Sequence, residues 1–228
     1  MRSFILMLPV LAAVMVTSTF AAKDPSIERL LGKLPAPEKF IDPAINDPLA
    51  KQVEAAAKAQ KFGVALDASR RLAGRYPKSL GAQMIHGMLA LALRRYPEAS
   101  GAYRKATSLQ PDFAAAYLGL AVTEAAQARF RAALPHFQKV TRLAPQAEIG
   151  WTGASACAER LGRLKESVQY ARQATVVAPS SAGAWYQLAR EEGLSGNHPA
   201  SAKALARARQ LDKTTRRSSE RPRPKKKN

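Results

Sequence analysis

Between Ala114 and Ala147 apolar or small residues recur at intervals of three and four, and the rhythm is interrupted near Arg129. That spacing predicts two short amphipathic helices joined by a turn. The pattern repeats along the chain. Pro77, Pro111, Pro145 and Pro179 are evenly spaced, with a period of about 34 residues, so five blocks begin at Asn46, Leu80, Ala114, Glu148 and Ala182. The fifth block has Lys213 where proline would fall.

Other positions keep the same phase. Gly87, Ala121, Ser155 and Ala189 are small, as are Ala65, Ala99, Ala133, Ser167 and Ser201, which marks places where helix backbones approach closely. Bulky residues fall between them: Leu49, Tyr117, Trp151 and Trp185, with Gln83 as the exception; then Phe62, Tyr96, Phe130 and Leu164; then Tyr103, Phe137 and Leu205. Pro97 and Pro199 share a place where the second helix should begin, and proline is tolerated there because the first-turn N–H has no intrahelical partner.

On these residues the chain resembles the tetratricopeptide repeat family over residues 46–212. The resemblance implies an all-α fold, a right-handed α-solenoid of about five 34-residue helix–turn–helix repeats, at 46–79, 80–113, 114–147, 148–181 and 182–212. The first block departs from the pattern at Gln52, Val53 and Ser69.

In that family the first helices line a concave face whose side chains choose the partner. Here those places hold Met84, Ile85, Met88 and Leu91, then Leu118 and Val122, then Ile149, then Tyr186 and Arg190. Members that clamp a C-terminal carboxylate use asparagine with lysine and arginine, which the middle blocks lack. A mostly apolar groove suits a protein partner presenting an amphipathic helix or an extended apolar segment. Self-association is an alternative, and so is occupation by the chain's own apolar residues between Ile27 and Ile41.

The flanks differ in character. Arg2, an apolar run from Phe4 to Val16, and Thr19 with Ala21 read as a signal peptide over residues 1–21. The 13 apolar residues would span about 20 Å as a helix, short of a hydrocarbon core of roughly 30 Å. The protein is therefore expected to be exported and periplasmic or secreted, with an inner-membrane anchor as the minor alternative. Residues 22–45 contain four prolines and read as a linker with one short amphipathic helix. Residues 213–228 hold eight Lys or Arg, one acid and two prolines, and are expected to be disordered.

Charge alters this picture more than hydrophobicity does. Thirty-six Lys and Arg against 17 Asp and Glu give +19, which points to a polyanion or an anionic membrane surface as a second kind of partner. Its candidates are Arg216, Arg217, Arg221, Arg223, Lys225, Lys226 and Lys227 in the tail. A second row, Arg70, Arg71, Arg104, Lys105, Lys139, Arg172 and Arg207, lies on the second helices, where it reads as an ordinary solvated face or, alternatively, as a convex surface that meets the same polyanion.

Catalytic chemistry is not indicated. His86, His136 and His198 lack partners at metal-ligand spacing, so no metal, cofactor, catalytic residue or small-molecule substrate is expected. His86 stands where Leu120 and Leu188 stand elsewhere, which predicts a partly buried histidine with a hydrogen-bond partner. Cys157, the single cysteine, reads as a small packed hydrophobe. The neighbouring Glu191 and Glu192 point about 100° apart on a helix and read as a solvated face.

Overall fold

The computed structural model describes residues 42–219, and all secondary structure among them is helical. A 3-10 turn, Pro43–Asn46, leads into ten helices: α1 Pro48–Lys58, α2 Phe62–Arg75, α3 Leu80–Ala92, α4 Tyr96–Leu109, α5 Ala114–Ala126, α6 Phe130–Leu143, α7 Glu148–Arg160, α8 Leu164–Val177, α9 Ala182–Leu194 and α10 His198–Ser219. From α2 onward, helix starts recur with the same period as the prolines: Leu80, Ala114, Glu148 and Ala182 for first helices, Phe62, Tyr96, Phe130, Leu164 and His198 for second helices. The fold divides into two compact units, one ending at Ala144 and holding α1–α6, the other beginning at Pro145 and holding α7–α10.

The turn inside each pair uses one device five times. The residue two places after the first helix takes a left-handed conformation: Gln60, Arg94 and Ala128 at φ 56°, 57° and 56°, Gly162 and Gly196 at 74° and 83°. The following amide reaches back to the third carbonyl from the helix end, as in Lys61 N to Ala56 O at 2.8 Å, Arg95 N to Ala90 O at 2.7 Å and Asn197 N to Glu192 O at 2.8 Å. These are Schellman closures, which satisfy carbonyls the helix end would orphan. The second helices then stop one residue before Pro77, Pro111, Pro145 and Pro179 are reached, at C-caps Tyr76, Gln110, Ala144 and Ala178. Proline has no amide to continue the ladder.

Packing follows the small columns. Ala65, Ala99, Ala133 and Ser167 expose no surface, nor do Ala121 and Ser155. In the first unit Val53, Leu66, Met88, Leu89, Tyr103 and Leu120 close around these crossings. Tyr103 lies against Gly87 and Gly119, where any Cβ would press into its ring. The second unit gathers Ala171, Leu188, Ala189 and Ala204, with Trp185 and Leu205 packed against them.

Gln83 turns out to share a task with the tryptophans of its column. Trp151 Nε1 donates to Pro145 O at 2.8 Å and Trp185 Nε1 to Pro179 O at 3.0 Å, while Gln83 Nε2 donates to Ala73 O at 3.1 Å and Pro77 O at 3.4 Å. At these three positions the column supplies an N–H to the carbonyl of the helix-ending proline as well as bulk.

The expected boundary at Lys213 does not hold. Helix α10 runs on to Ser219, because Lys213–Ser219 contains no glycine or proline and its cations suit a helix C-terminus. The signal segment, most of the linker and residues 220–228 lie outside the described residues.

Candidate functional site

The N-terminal edge of the first unit is fastened by two Asp-Pro steps. Asp47 caps α1 by accepting from Leu49 N at 2.8 Å, and also receives Arg75 Nη1 at 2.8 Å and Tyr76 Oη at 3.0 Å. The Leu49 amide first, then the Arg75 guanidinium, holds its carboxyl below the usual aspartate range. Asp42 accepts from Ala44 N at 3.0 Å with one oxygen, and from Ser79 Oγ at 2.5 Å and Gly81 N at 3.0 Å with the other. It thereby adds negative charge at the N-terminus of α3, where unpaired amides favour it.

The groove residues do not all lie open. Met88 and Leu118 are each only 8% exposed. Their expected role as accessible contacts is corrected: long side chains at these places reach back into the interhelix seam. Met84, Ile85, Leu91 and Ala92 are partly buried against the core cluster, and Val122 on α5 is half-buried. At 100° per residue, Gly81, Met84, Ile85, Met88 and Ala92 share one face of α3, and Val122 holds on α5 the register place of Met88. The remaining candidate is therefore an apolar face on the neighbouring helices α3 and α5.

In the second unit the same register turns polar. Ile149 is half-buried; Tyr186 Oη donates to Asp212 Oδ2 at 2.6 Å; Arg190 pairs with Glu159 and lies 3.7 Å from Glu191 Oε1. Tyr186 and Arg190 are thus engaged within their own unit and do not continue an apolar face.

The acidic pair is corrected too. Glu191 exposes 0% and Glu192 3% of its surface, so neither is solvated. Pointing apart, they serve different seams. Glu191 accepts from Ser167 Oγ and from Gln187 Nε2 at 2.6 Å, beside Ser155, which donates to Ser167 O at 3.0 Å. Burial pushes its carboxyl above the ordinary glutamate range, with the Ser167 hydroxyl and Arg190 pulling the other way. Glu192 accepts Arg172 Nη2 at 2.7 Å and Nε at 2.9 Å, and Asn197 Nδ2 at 2.9 Å.

The pairing of Arg172 with Glu192 has a counterpart in the first unit. Arg104 lies 3.9 Å from Glu124, a pair with the same separation along the chain, and His136 Nε2 lies 3.5 Å from the other oxygen. Arg70, which has Ala90 at the matching place, turns to Glu98 at 2.6 Å and Asp67 at 2.8 Å. Lys139 stands 5.7 Å over the Tyr117 ring. The supposed solvated row of cations is therefore largely spent on contacts between helices.

His86 is buried, with Nδ1 3.2 Å from Ser69 Oγ and Nε2 3.3 Å from Glu98 Oε1. Burial lowers its pKa against the opposing pull of Glu98. Cys157 is buried, its thiol pushed up to about 11 by burial, which makes it an unreactive packing group. Among the described residues no group of three or more His, Cys, Asp or Glu could hold a metal ion.

Sequence reading missed Asp42, Asp47 and Glu124, and took Glu191 and Glu192 for surface charge. The signals were present: two Asp-Pro steps, and one Arg-to-Glu spacing used twice, by Arg104 with Glu124 and by Arg172 with Glu192.

A tetratricopeptide repeat model matches residues 85–148 and again 123–184. No curated protein matches the chain in sequence. Among solved structures, MamA from Desulfovibrio magneticus RS-1, residues 41 to the end, superposes with TM-score 0.67 at 15% identity, covering 73% of this chain and 94% of that one. Another crystal structure of MamA gives TM-score 0.69 at 13% identity, with 72% and 96% covered. At such identities the likeness concerns the fold. With the repeat model matching at the period on which the helix starts, left-handed turns and closing prolines recur, residues 85–184 belong to the tetratricopeptide repeat family.

Proposed function

We propose that this protein is a protein–protein interaction scaffold of the bacterial cell envelope, and that it binds an apolar partner segment on the α3/α5 face. The supporting observation is the half-covered set Met84, Ile85, Leu91, Ala92 and Val122 on adjacent first helices, with no charged side chain among them. Helix-in-groove recognition needs such a surface: apolar anchors at helical spacing on a rigid support. The envelope assignment rests on the signal-like residues 1–21.

A second reading, a cationic tether for polyanions, is favoured by α10. Its Lys203, Arg207, Arg209 and Lys213 are exposed, and its backbone carries on through Arg216 and Arg217 toward the remaining tail cations. Affinity capture from envelope extract at low and high salt separates the two. A partner held by the apolar face stays bound at high salt, whereas a polyanion is released, because each neutralised phosphate returns a counterion. Loss of every captured protein at high salt contradicts the scaffold reading.

A further inference from the structure

We propose that the α3/α5 face takes a partner segment in which apolar anchors are followed by a run of acidic residues, the acids being met by Arg94, Arg95, Arg129 and Arg131 where the face ends. This rests on the reading of that face as the partner site and names the chemistry of the segment that fills it.

The cations stand where the apolar residues stop. α3 and α5 flank α4 and are joined to it by short turns, so the two first helices run in the same direction and finish at one edge of the first unit. Met84, Ile85 and Ala92 lead along α3 to Leu93, which is 37% exposed, and then to Arg94 and Arg95. On α5, Val122 is followed within three turns by Arg129 and Arg131. From Met84 to Arg94 is about 15 Å along the helix axis, so a bound helix of some three turns covers the apolar face and brings its next residues to the arginines.

The fold itself does not account for these cations. Arg70 and Arg104 in the same unit reach Glu98 and Glu124, whereas the exposed side chains of Arg94, Arg129 and Arg131 make no hydrogen bond or ion pair with any described residue. Arg95 comes only within 3.9 Å of Glu98, which Arg70 already holds at 2.6 Å. Arg95 and Arg129 also occupy the N-caps of α4 and α6 and supply no side-chain hydrogen bond there. That place favours a side-chain acceptor and disfavours positive charge. Asn197, at the matching place before α10, does accept from Ala200 N, at 3.4 Å. The turns between repeats, on the other edge of the first unit, expose Lys78 and Asp112, whose charges cancel. Cations are therefore in surplus on the one edge where the apolar face ends. Exposed ion pairs are individually weak, so the arginines select among segments that the apolar anchors have already placed.

The test displays a library of random peptides, each about 16 residues and so long enough as a helix to cover face and edge, and selects it at physiological salt. The baits are the full-length chain and an Arg94→Gln, Arg129→Gln, Arg131→Gln variant of equal helicity; all three positions are exposed. Peptides enriched on the wild-type chain should combine apolar residues with an acidic flank, and on the variant the acidic bias should vanish while the apolar residues stay. Resynthesised wild-type binders should bind the variant about tenfold more weakly, at a few-fold for each ion pair lost. Apolar peptides without an acidic bias would overturn the proposal and leave the face standing as a partner site. An acidic bias that persists on the variant would overturn it as well, because the bias then belongs to other cations, such as those of α10. Acidic peptides lacking apolar anchors, or no enrichment, would remove both the proposal and the reading of the face on which it rests.

Discussion

At the residue scale, the tightest constraint is the seat of Tyr103. Its ring is buried between Gly87 on α3 and Gly119 on α5, and burial holds its phenol well above the ordinary tyrosine range. Gly119→Ala puts a methyl group 2.3 Å from Tyr103 Cε1, against the face of a fully buried ring, and should lower stability by about 1–3 kcal/mol in thermal or denaturant unfolding. An unchanged midpoint would mean the two helices can separate here. His86 gives a second test. Burial disfavours its charged form while Glu98 favours it and Arg70 and Lys105 oppose it. Its folded pKa therefore lies below the ordinary 6.5, so its contribution to stability is complete above that pH and is lost as pH falls from 6.5 through the folded value. Titration of its ring protons by NMR should show a pKa under 6.5; a higher one would mean that Glu98 outweighs burial.

At the element scale, the repeat period was readable because prolines, small crossings and bulky positions repeat in type. The left-handed turn was not, because only Gly162 and Gly196 advertise it; Gln60, Arg94 and Ala128 adopt the same conformation without the usual residue. A non-glycine residue there costs about 1–2 kcal/mol, offset in part by the lower chain entropy it gives the unfolded state. Ala128→Gly should therefore raise stability by about 0.5–1 kcal/mol, with helicity by circular dichroism unchanged. A loss of stability would show that the turn at Ala128 is not strained. Side-chain partners were the least legible level. Gln83 broke a column of bulk but kept its hydrogen bond, and Glu191 with Glu192 looked like surface charge until Ser167 and Arg172 supplied partners from another helix. Such pairings depend on which helices touch, and composition alone does not fix that.

At the scale of the whole molecule, charge and apolar surface are sorted into different places. Arg70, Arg104 and Arg172 on the second helices are committed to Glu98, Glu124 and Glu192, while Lys203, Arg207, Arg209 and Lys213 on α10 stay exposed. The first unit keeps an apolar first-helix face, while the second fills the equivalent register with Tyr186, Arg190 and their acidic partners. The central claim is that the apolar face binds a partner. It is tested most directly by comparing capture from envelope extract, at high salt, between the wild-type chain and an Ile85→Glu, Val122→Glu double variant of equal helicity. Both positions are partly exposed, so the carboxylates can be accommodated without filling the core. The account predicts that captured protein falls about tenfold or more, as desolvating two carboxylates requires. Equal capture by the folded double variant would contradict it.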